Sequence, residues 1–220
     1  MSPFDIFNPS AILDPTAFIG EAGASRLMQA AAQFPGGPTG LVFALFWAPV
    51  GPGIPAGVLL AQHLRIAPAV TFGLYALSDL LAMLLLNPVY SFLRTHGRRN
   101  PTFRTIGRRA LAVAMIGTRR PTADAVRAGR LAPALFRIAT VGFGVDIYTA
   151  GALATGLPIP RLPGWAAALA GDLVWFALLL GSSIAAAQVF DDERWIAVVV
   201  LAVTLLGPSI ARRIFPALRG

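Results

Sequence analysis

The sequence lacks cysteine and lysine, and it contains only two histidines, His63 and His96. Without cysteine there are no disulfides, no thiol catalysis and no thiolate metal sites. Two widely separated histidines do not form a metal cluster, so we expect neither a metal nor a cofactor. We also find no Ser/His/Asp set, no Gly-rich phosphate loop and no HExxH motif. We therefore expect no enzyme, and an intramembrane carboxylate enzyme is the one enzymatic alternative left open.

Charged residues are scarce, while apolar residues are abundant. Only 13% of the 220 residues are charged, 56% are hydrophobic, and the mean hydropathy is +0.68. A soluble domain of this length could not bury so much apolar surface. The composition predicts an integral membrane protein. The first residues lack the basic and apolar regions of a signal peptide, so we expect internal segments to direct insertion.

The apolar segments are of two kinds. Residues 69–93, 163–188 and 195–214 are continuous enough to predict transmembrane helices. Segments 41–66 and 131–160 are equally apolar but are interrupted by glycine and proline, and such breaks at membrane depth must be covered by protein or line a cavity. We interpret these two segments as re-entrant hairpins. Their predicted breaks lie at Pro49, Gly51, Pro52, Gly53, Pro55, Gly142 and Gly144.

The positive charge is concentrated in one connector. All 18 basic residues are arginines, the net charge is +8, and ten of the arginines lie between Arg94 and Arg130. The positive-inside rule predicts that this connector and the C-terminus are cytoplasmic, in a multi-pass protein of the cytoplasmic (inner) membrane. The arginines are expected to contact anionic membrane lipids rather than nucleic acid, because no basic platform with interleaved aromatic residues accompanies them.

Two parts of the chain, 93 residues apart, have the same organisation. Each has a broken apolar segment followed by an apolar helix, and the connector places the two in opposite orientations. We expect a single membrane domain over residues 1–220, with repeat 1 at about 11–93, a basic connector at about 94–130, repeat 2 at about 103–188 and a C-terminal helix at 194–215. Amphipathic interfacial helices are expected at 11–34 and 103–120, although solvated or partner-covered helices fit equally well.

The two broken segments, the apolar helices and their opposite orientations together predict an all-α membrane fold in which re-entrant hairpins and transmembrane helices form an inverted repeat.

Each predicted repeat has one acidic residue within its apolar helix. These are Asp79 and Asp172, which correspond at the 93-residue spacing. A carboxylate at this depth costs about 2.5 to 3.5 kcal/mol, so each should face the protein interior and have a partner or a proton. We predict a substrate or coupling site here, and structural caps on the hairpins are the alternative. Arg137 and Asp146, near the second break, are either a structural ion pair or part of an anion site.

The second repeat resembles the DedA family, also called the VTT or SNARE-associated family. The similarity lies in Arg137, Ala150, Gly151, Gly171 and Trp175. In the first repeat, Ser78 and Asp79 lie where that family often has Gly-Asp, and Ile54 and Pro55 resemble the start of its Pro-Gly-acid motif. The chain differs from the family at Ala56, Gly57 and Phe143, where the family has charged residues. The small multidrug export proteins show a similar broken repeat.

The resemblance implies a transporter or flippase for a lipid-linked or amphipathic anionic substrate, such as a polyprenyl phosphate or a phospholipid. Asp79, Asp172, Arg137 and Asp146 would be its substrate or coupling residues. Two alternatives remain: a non-transporting scaffold that binds anionic lipid or a cytoplasmic partner, and an exporter of small cationic drugs. A homo-oligomer is compatible with each of these functions.

Overall fold

The computed structural model describes residues 29, 31–47, 53–96, 119–190 and 193–214. Within these ranges the regular structure is entirely α-helical, without strands, as the composition predicts. The predicted interfacial helices at 11–34 and 103–120 lie mostly outside the described residues. The chain divides into two compact units, Met1–Tyr75 and Ala76–Gly220, and each is described by itself below.

The first unit contains two short helices that pack on each other. These are α1, Gly37–Trp47, and α2, Gly53–His63. The Phe46 ring on α1 occupies the space that a side chain at Gly57 on α2 would need. Phe46 also meets Tyr75 edge to face, with ring centroids 5.3 Å apart. Tyr75 belongs to α3, Pro68–His96, whose remaining residues form part of the second unit.

The second unit is organised around its longest helix. The described residues after α3 form five helices. They are α4, Arg119–Arg127; α5, Leu131–Gly144; α6, Ile147–Gly156; α7, Arg161–Val189; and α8, Glu193–Ile214. Helix α7 packs against α5, α6 and α8, and α5 also packs against α6. Apolar residues of α5, α6 and α7, including Ile138, Leu153 and Ala168, form one buried cluster.

Helices α5 and α7 cross with their backbones in close contact. A Cβ at Gly171 would overlap the carbonyl oxygen of Ala139, and a Cβ at Gly142 would overlap the carbonyl oxygen of Ala168. The sequence Ala-x-x-Gly thus occurs on both sides of the crossing. Small residues allow this approach, which any larger side chain at either glycine would prevent.

Two helices are long and apolar enough to cross a membrane. They are Pro68–Phe92, within α3, and Arg161–Val189, which is α7, and they correspond to two of the predicted spans. Their length and composition indicate a membrane protein. The third predicted span is helical as α8, but its apolar stretch, Trp195–Gly207, is shorter than the roughly 20 residues that cross a bilayer. Its transmembrane position stays a prediction.

The helix breaks differ from those predicted at several glycines. Helix α5 continues through Gly142 and ends with Gly144, so the interruption lies at Val145 and Asp146. Gly142 serves the helix crossing instead. Gly53 and Pro55 lie in the first turn of α2, where a proline needs no intrahelical N–H partner. Pro49, Gly51 and Pro52 lie outside the described residues.

A spacing of 93 residues recurs in the bounds of the helices. Helices α3 and α7 both have 29 residues and start 93 positions apart, and α2 and α6 end 93 positions apart. The burial pattern recurs too. Five described side chains of α3 are buried: Thr71, Tyr75, Ser78, Asp79 and Ala82. The residues 93 positions later in α7 are buried as well: Gly164, Ala168, Gly171, Asp172 and Trp175. The same face of each long helix is therefore covered.

Candidate functional site

Asp79 and Asp172 are buried and contact each other. Their side chains are 5% and 2% exposed, and the carboxyl group of Asp172 lies within hydrogen-bonding reach of that of Asp79. The second oxygen of Asp79, Oδ2, is buried without a hydrogen-bond partner among the described residues. The sequence predicted two acids at equivalent positions, and the structure brings these two acids together.

The contact between the two carboxyls determines their protonation. An ionised carboxylate only accepts hydrogen bonds, so two carboxyls can bond to each other only when one of them is protonated. Two adjacent buried negative charges would also repel each other strongly at low dielectric. The pair therefore holds at least one proton in this arrangement.

The helices that supply this pair are antiparallel where they meet. Asp79 of α3 contacts Asp172 of α7, whereas Tyr90, further along α3, contacts Trp165, which comes earlier in α7. The two acids, 93 positions apart, therefore meet where α3 and α7 run in opposite directions.

The start of α6 carries two further polar side chains, one of which is within electrostatic range of the pair. Asp146 is the N-cap residue of α6, and its Oδ1 accepts a hydrogen bond of 2.5 Å from the backbone N–H of Thr149. Tyr148, two residues later, is half-buried and within electrostatic range of Asp79, Asp146 and Asp172. Asp146 rather than Asp79 or Asp172 is the acid that caps a helix here.

A pair of aromatic rings extends this polar region along α3. The rings of Tyr90 and Trp165 are stacked, with centroids 6.2 Å apart and an angle of 13° between their planes. The Tyr90 hydroxyl donates a hydrogen bond of 3.3 Å to the carbonyl oxygen of Tyr148. Trp165 is buried against Gly151, where its ring fills the space of a Cβ, and its indole Nε1 has no hydrogen-bond partner in the part of the chain that the structure describes.

Arg137 is separate from Asp146. It lies about two turns before the end of α5 and is half-buried, and these two described side chains form no ion pair with each other. The ion pair considered for them is absent, because Asp146 caps α6 instead. Asp79, Asp172 and Asp146 are all within electrostatic range of Tyr148, whereas Arg137 is not among the groups that act on it.

Sequence reasoning missed Tyr90 and Tyr148. Tyr148 is within electrostatic range of the carboxyl pair, and Tyr90 donates a hydrogen bond to the backbone carbonyl of Tyr148. These relations depend on how the helices pack, for which a single sequence offers no spacing signal. The glycines quoted for the family resemblance have a structural explanation instead: Gly151 accommodates Trp165, and Gly171 accommodates the backbone of α5. Within the described residues, no group of three or more His, Cys, Asp and Glu side chains could hold a metal ion.

Comparison with known protein families, with curated proteins and with solved structures finds no match for this chain.

Proposed function

We propose that this protein is a multi-pass membrane transporter whose coupling site is the Asp79–Asp172 pair. The observation that supports this most is the contact between two buried acids at equivalent repeat positions on antiparallel helices. In transporters with inverted repeats, the substrate and coupling-ion sites lie at the repeat interface near the bilayer midplane. A carboxyl pair that gains and loses a proton at such a point can couple conformational exchange to proton movement.

The arrangement of helices supports an inverted repeat of hairpin and long helix. The recurring bounds at a spacing of 93 residues define the two copies, and the antiparallel contact between α3 and α7 is the relation that inversion requires. Helix α5 and helix α6, joined by the break at Val145 and Asp146, would be the second hairpin. Alternation would move the hairpins around a fixed site.

For the substrate we propose an anionic amphipathic or lipid-linked molecule, moved across the cytoplasmic membrane. Arg137 supports an anion, because a half-buried guanidinium that has no carboxylate partner among the described residues can bind a phosphate in a bidentate manner. The carboxyl pair would then serve coupling rather than substrate binding. No step of this proposal involves covalent chemistry.

The test is transport by purified protein in proteoliposomes, with a fluorescent polyprenyl phosphate as the probe. Wild type should translocate the probe, and the variant Asp79→Asn/Asp172→Asn should lose this activity, because an amide pair cannot exchange a proton in the same way. Asp124→Asn is the matched control, since Asp124 is an exposed acid on α4 that pairs only with Arg127. Equal rates for wild type and the double variant would contradict the proposal and favour the non-transporting scaffold.

An exporter of small organic cations is a second candidate, and one observation favours it. Within the described residues, the groups shown to interact with the pair are carboxyls and phenols, and a stacked Tyr90–Trp165 pair lies nearby. Carboxylates and aromatic faces bind cations. In the same vesicles, efflux of a fluorescent cation against a pH gradient, with no movement of the polyprenyl phosphate, would support this candidate over the anionic substrate.

A further inference from the structure

Helix α3 has a weak point near the end that precedes the arginine-rich connector. Pro88 lies inside α3, well before its last residue, His96, and the proline side chain is exposed. A proline has no N–H to donate to the carbonyl of Leu84, and sharp bends in long helices usually occur at such residues. Asn87 adds to the weakness, because a residue before proline disfavours the helical conformation. Residues 89–96 can therefore bend relative to the rest of α3.

The other long helix is weakened at the same repeat position. The residue 93 positions after Pro88 is Gly181, in the interior of α7. A Cβ at Gly181 would meet nothing within 4 Å, so no close approach by a described residue requires a glycine there. Glycine in a helix interior is destabilising relative to alanine. A weak point that recurs in both copies without a packing reason is the pattern expected of a hinge.

Beyond the proline, one side chain joins α3 to two other helices. The ring of Tyr90 stacks on Trp165 of α7, with centroids 6.2 Å apart. The Tyr90 hydroxyl donates a hydrogen bond of 3.3 Å to the carbonyl oxygen of Tyr148 on α6. Trp165 in turn packs against Gly151 of α6, where a Cβ would overlap its ring. These contacts hold the segment after Pro88 against α6 and α7.

The contacts of Tyr90 are few, and an unsatisfied group in their midst opposes them. Tyr90 is only half-buried, and its hydrogen bond is longer than the usual O–H···O distance. The indole Nε1 of Trp165 is buried without a hydrogen-bond partner in the described part of the chain. A buried donor without an acceptor disfavours the arrangement that buries it. Release of Tyr90 would uncover the Trp165 ring at the loss of one hydrogen bond and one stacked pair.

We propose that α3 is hinged at Pro88 and that Tyr90 is the latch that closes its connector end against α6 and α7. Asp79 precedes Pro88 by nine residues, about 14 Å along the helix, so bending at Pro88 moves residues 89–96 while Asp79 keeps its place. The hinge rests on the proposed function in one respect, since it names the end at which the coupling site opens. Tyr90 is a positioning residue here, because it acts by holding residues 89–96.

The experiment measures how fast a buried thiol reacts from each side of the membrane. Ala82→Cys is the reporter, because Ala82 is 3% exposed, lies between Asp79 and Pro88, and the chain has no cysteine of its own. A membrane-impermeant thiol reagent is added to one side of vesicles that contain the full chain. His96→Cys, measured separately, identifies the connector side.

The latch variants should raise the labelling rate from the connector side only. We expect an increase of about 3- to 10-fold for Tyr90→Phe, which loses the hydrogen bond and keeps the ring. Tyr90→Ala, which also loses the stacked ring, should raise the rate by about 10- to 100-fold. Val89→Ala is the matched control, because Val89 lies in the same segment and is exposed, and it should leave the rate unchanged.

The hinge variant should have the opposite effect. Pro88→Ala restores the helical hydrogen bond to the carbonyl of Leu84, so we expect it to slow labelling of Ala82→Cys below the rate in the otherwise unchanged chain. A variant that only repaired the stability of α3 would not reverse the increase caused by Tyr90→Phe. Pro88→Ala/Tyr90→Phe should therefore label more slowly than Tyr90→Phe alone.

The outcomes separate the hinge from the proposed function. Unchanged rates in Tyr90→Phe and Pro88→Ala would overturn the hinge, even if the protein transports. Equal increases from both sides of the membrane would also overturn it, because they would show a general loosening of the fold. The expected labelling changes in a protein that moves neither transport probe would support the hinge and contradict the transport proposal.

Discussion

The contact between Asp79 and Asp172 explains how two apolar helices can each accommodate a buried acid, which is unfavourable by itself. An acid in an apolar helix is unfavourable by itself, but two carboxyls that share a proton satisfy each other within the protein interior. The sequence predicted that both acids face inward, from their equivalent positions and their apolar surroundings. It did not predict that they contact each other, because the crossing point of two helices depends on the side chains of both.

The Asp79–Asp172 contact predicts that the effects of substituting the two acids on the free energy of unfolding are not additive. Asp79→Leu and Asp172→Leu should each lower the free energy of unfolding by about 1 to 3 kcal/mol, because each leaves a buried carboxyl without its partner. The double Leu variant should cost less than the sum of the two, since it leaves no unpaired carboxyl behind. Unfolding of the four proteins in the same detergent measures this. Strictly additive costs would show that the acids do not interact.

The close approach of α5 to Gly171 leads to a second prediction, on the stability of a single-residue variant. A Cβ here would overlap the Ala139 carbonyl, so Gly171→Ala should force α5 away from α7 and lower stability by about 1 to 3 kcal/mol. Gly181→Ala is the matched control, because Gly181 lies on the same helix and a Cβ there meets nothing within 4 Å. Thermal unfolding compares them, and similar melting temperatures for both variants would contradict the close crossing.

The helices themselves follow closely from the sequence, whereas the breaks between them do not. The long apolar runs correspond to α3 and α7 because continuous apolar sequence favours a helix at membrane length. Gly142 was predicted as a break, yet α5 passes through it. A glycine in an apolar helix can mark either an interruption or a close crossing, and only the partner helix distinguishes the two. Pro88 likewise lies inside α3 without ending it.

The N-cap of α6 leads to a prediction about how much this helix end contributes to stability. Asp146→Ala should lower the free energy of unfolding by about 0.5 to 2 kcal/mol, because it removes the acceptor for the Thr149 N–H. Asp146→Asn should change it by much less, since asparagine caps helices equally well. Denaturant or thermal unfolding distinguishes them. An equal loss for both variants would mean that the charge of Asp146, rather than the cap, stabilises this helix.

At the scale of the whole molecule, the repeat connects the sequence to the proposed function. The spacing of 93 residues was readable from the sequence, and it recurs in helix bounds and in burial. The hydrogen bond from Tyr90 to the carbonyl oxygen of Tyr148 was not readable, because it depends on how the helices pack. An inverted pair of units is the arrangement that we propose for transport.

Orientation in the membrane is a further prediction for the whole chain. Single cysteines at Ser2, His96 and Asp192 can be introduced without background, because the chain has no cysteine. We expect a membrane-impermeant thiol reagent to label His96→Cys only from the cytoplasmic side, and Ser2→Cys and Asp192→Cys only from the other side. Labelling of His96→Cys and Asp192→Cys from the same side would contradict the inverted repeat.

The most direct measurement of the central claim is cross-linking between the two acid positions. The Asp79→Cys/Asp172→Cys variant is treated in vesicles with a short bifunctional thiol reagent that fluoresces only when it bridges two thiols. We expect a fluorescent cross-link between the two positions of one chain. Leu84→Cys/Asp172→Cys is the control, because Leu84 is on the exposed side of α3. We predict strong bridging for the first pair and background for the second. Equal signals from the two pairs would contradict the contact between the repeats and the transport site built on it.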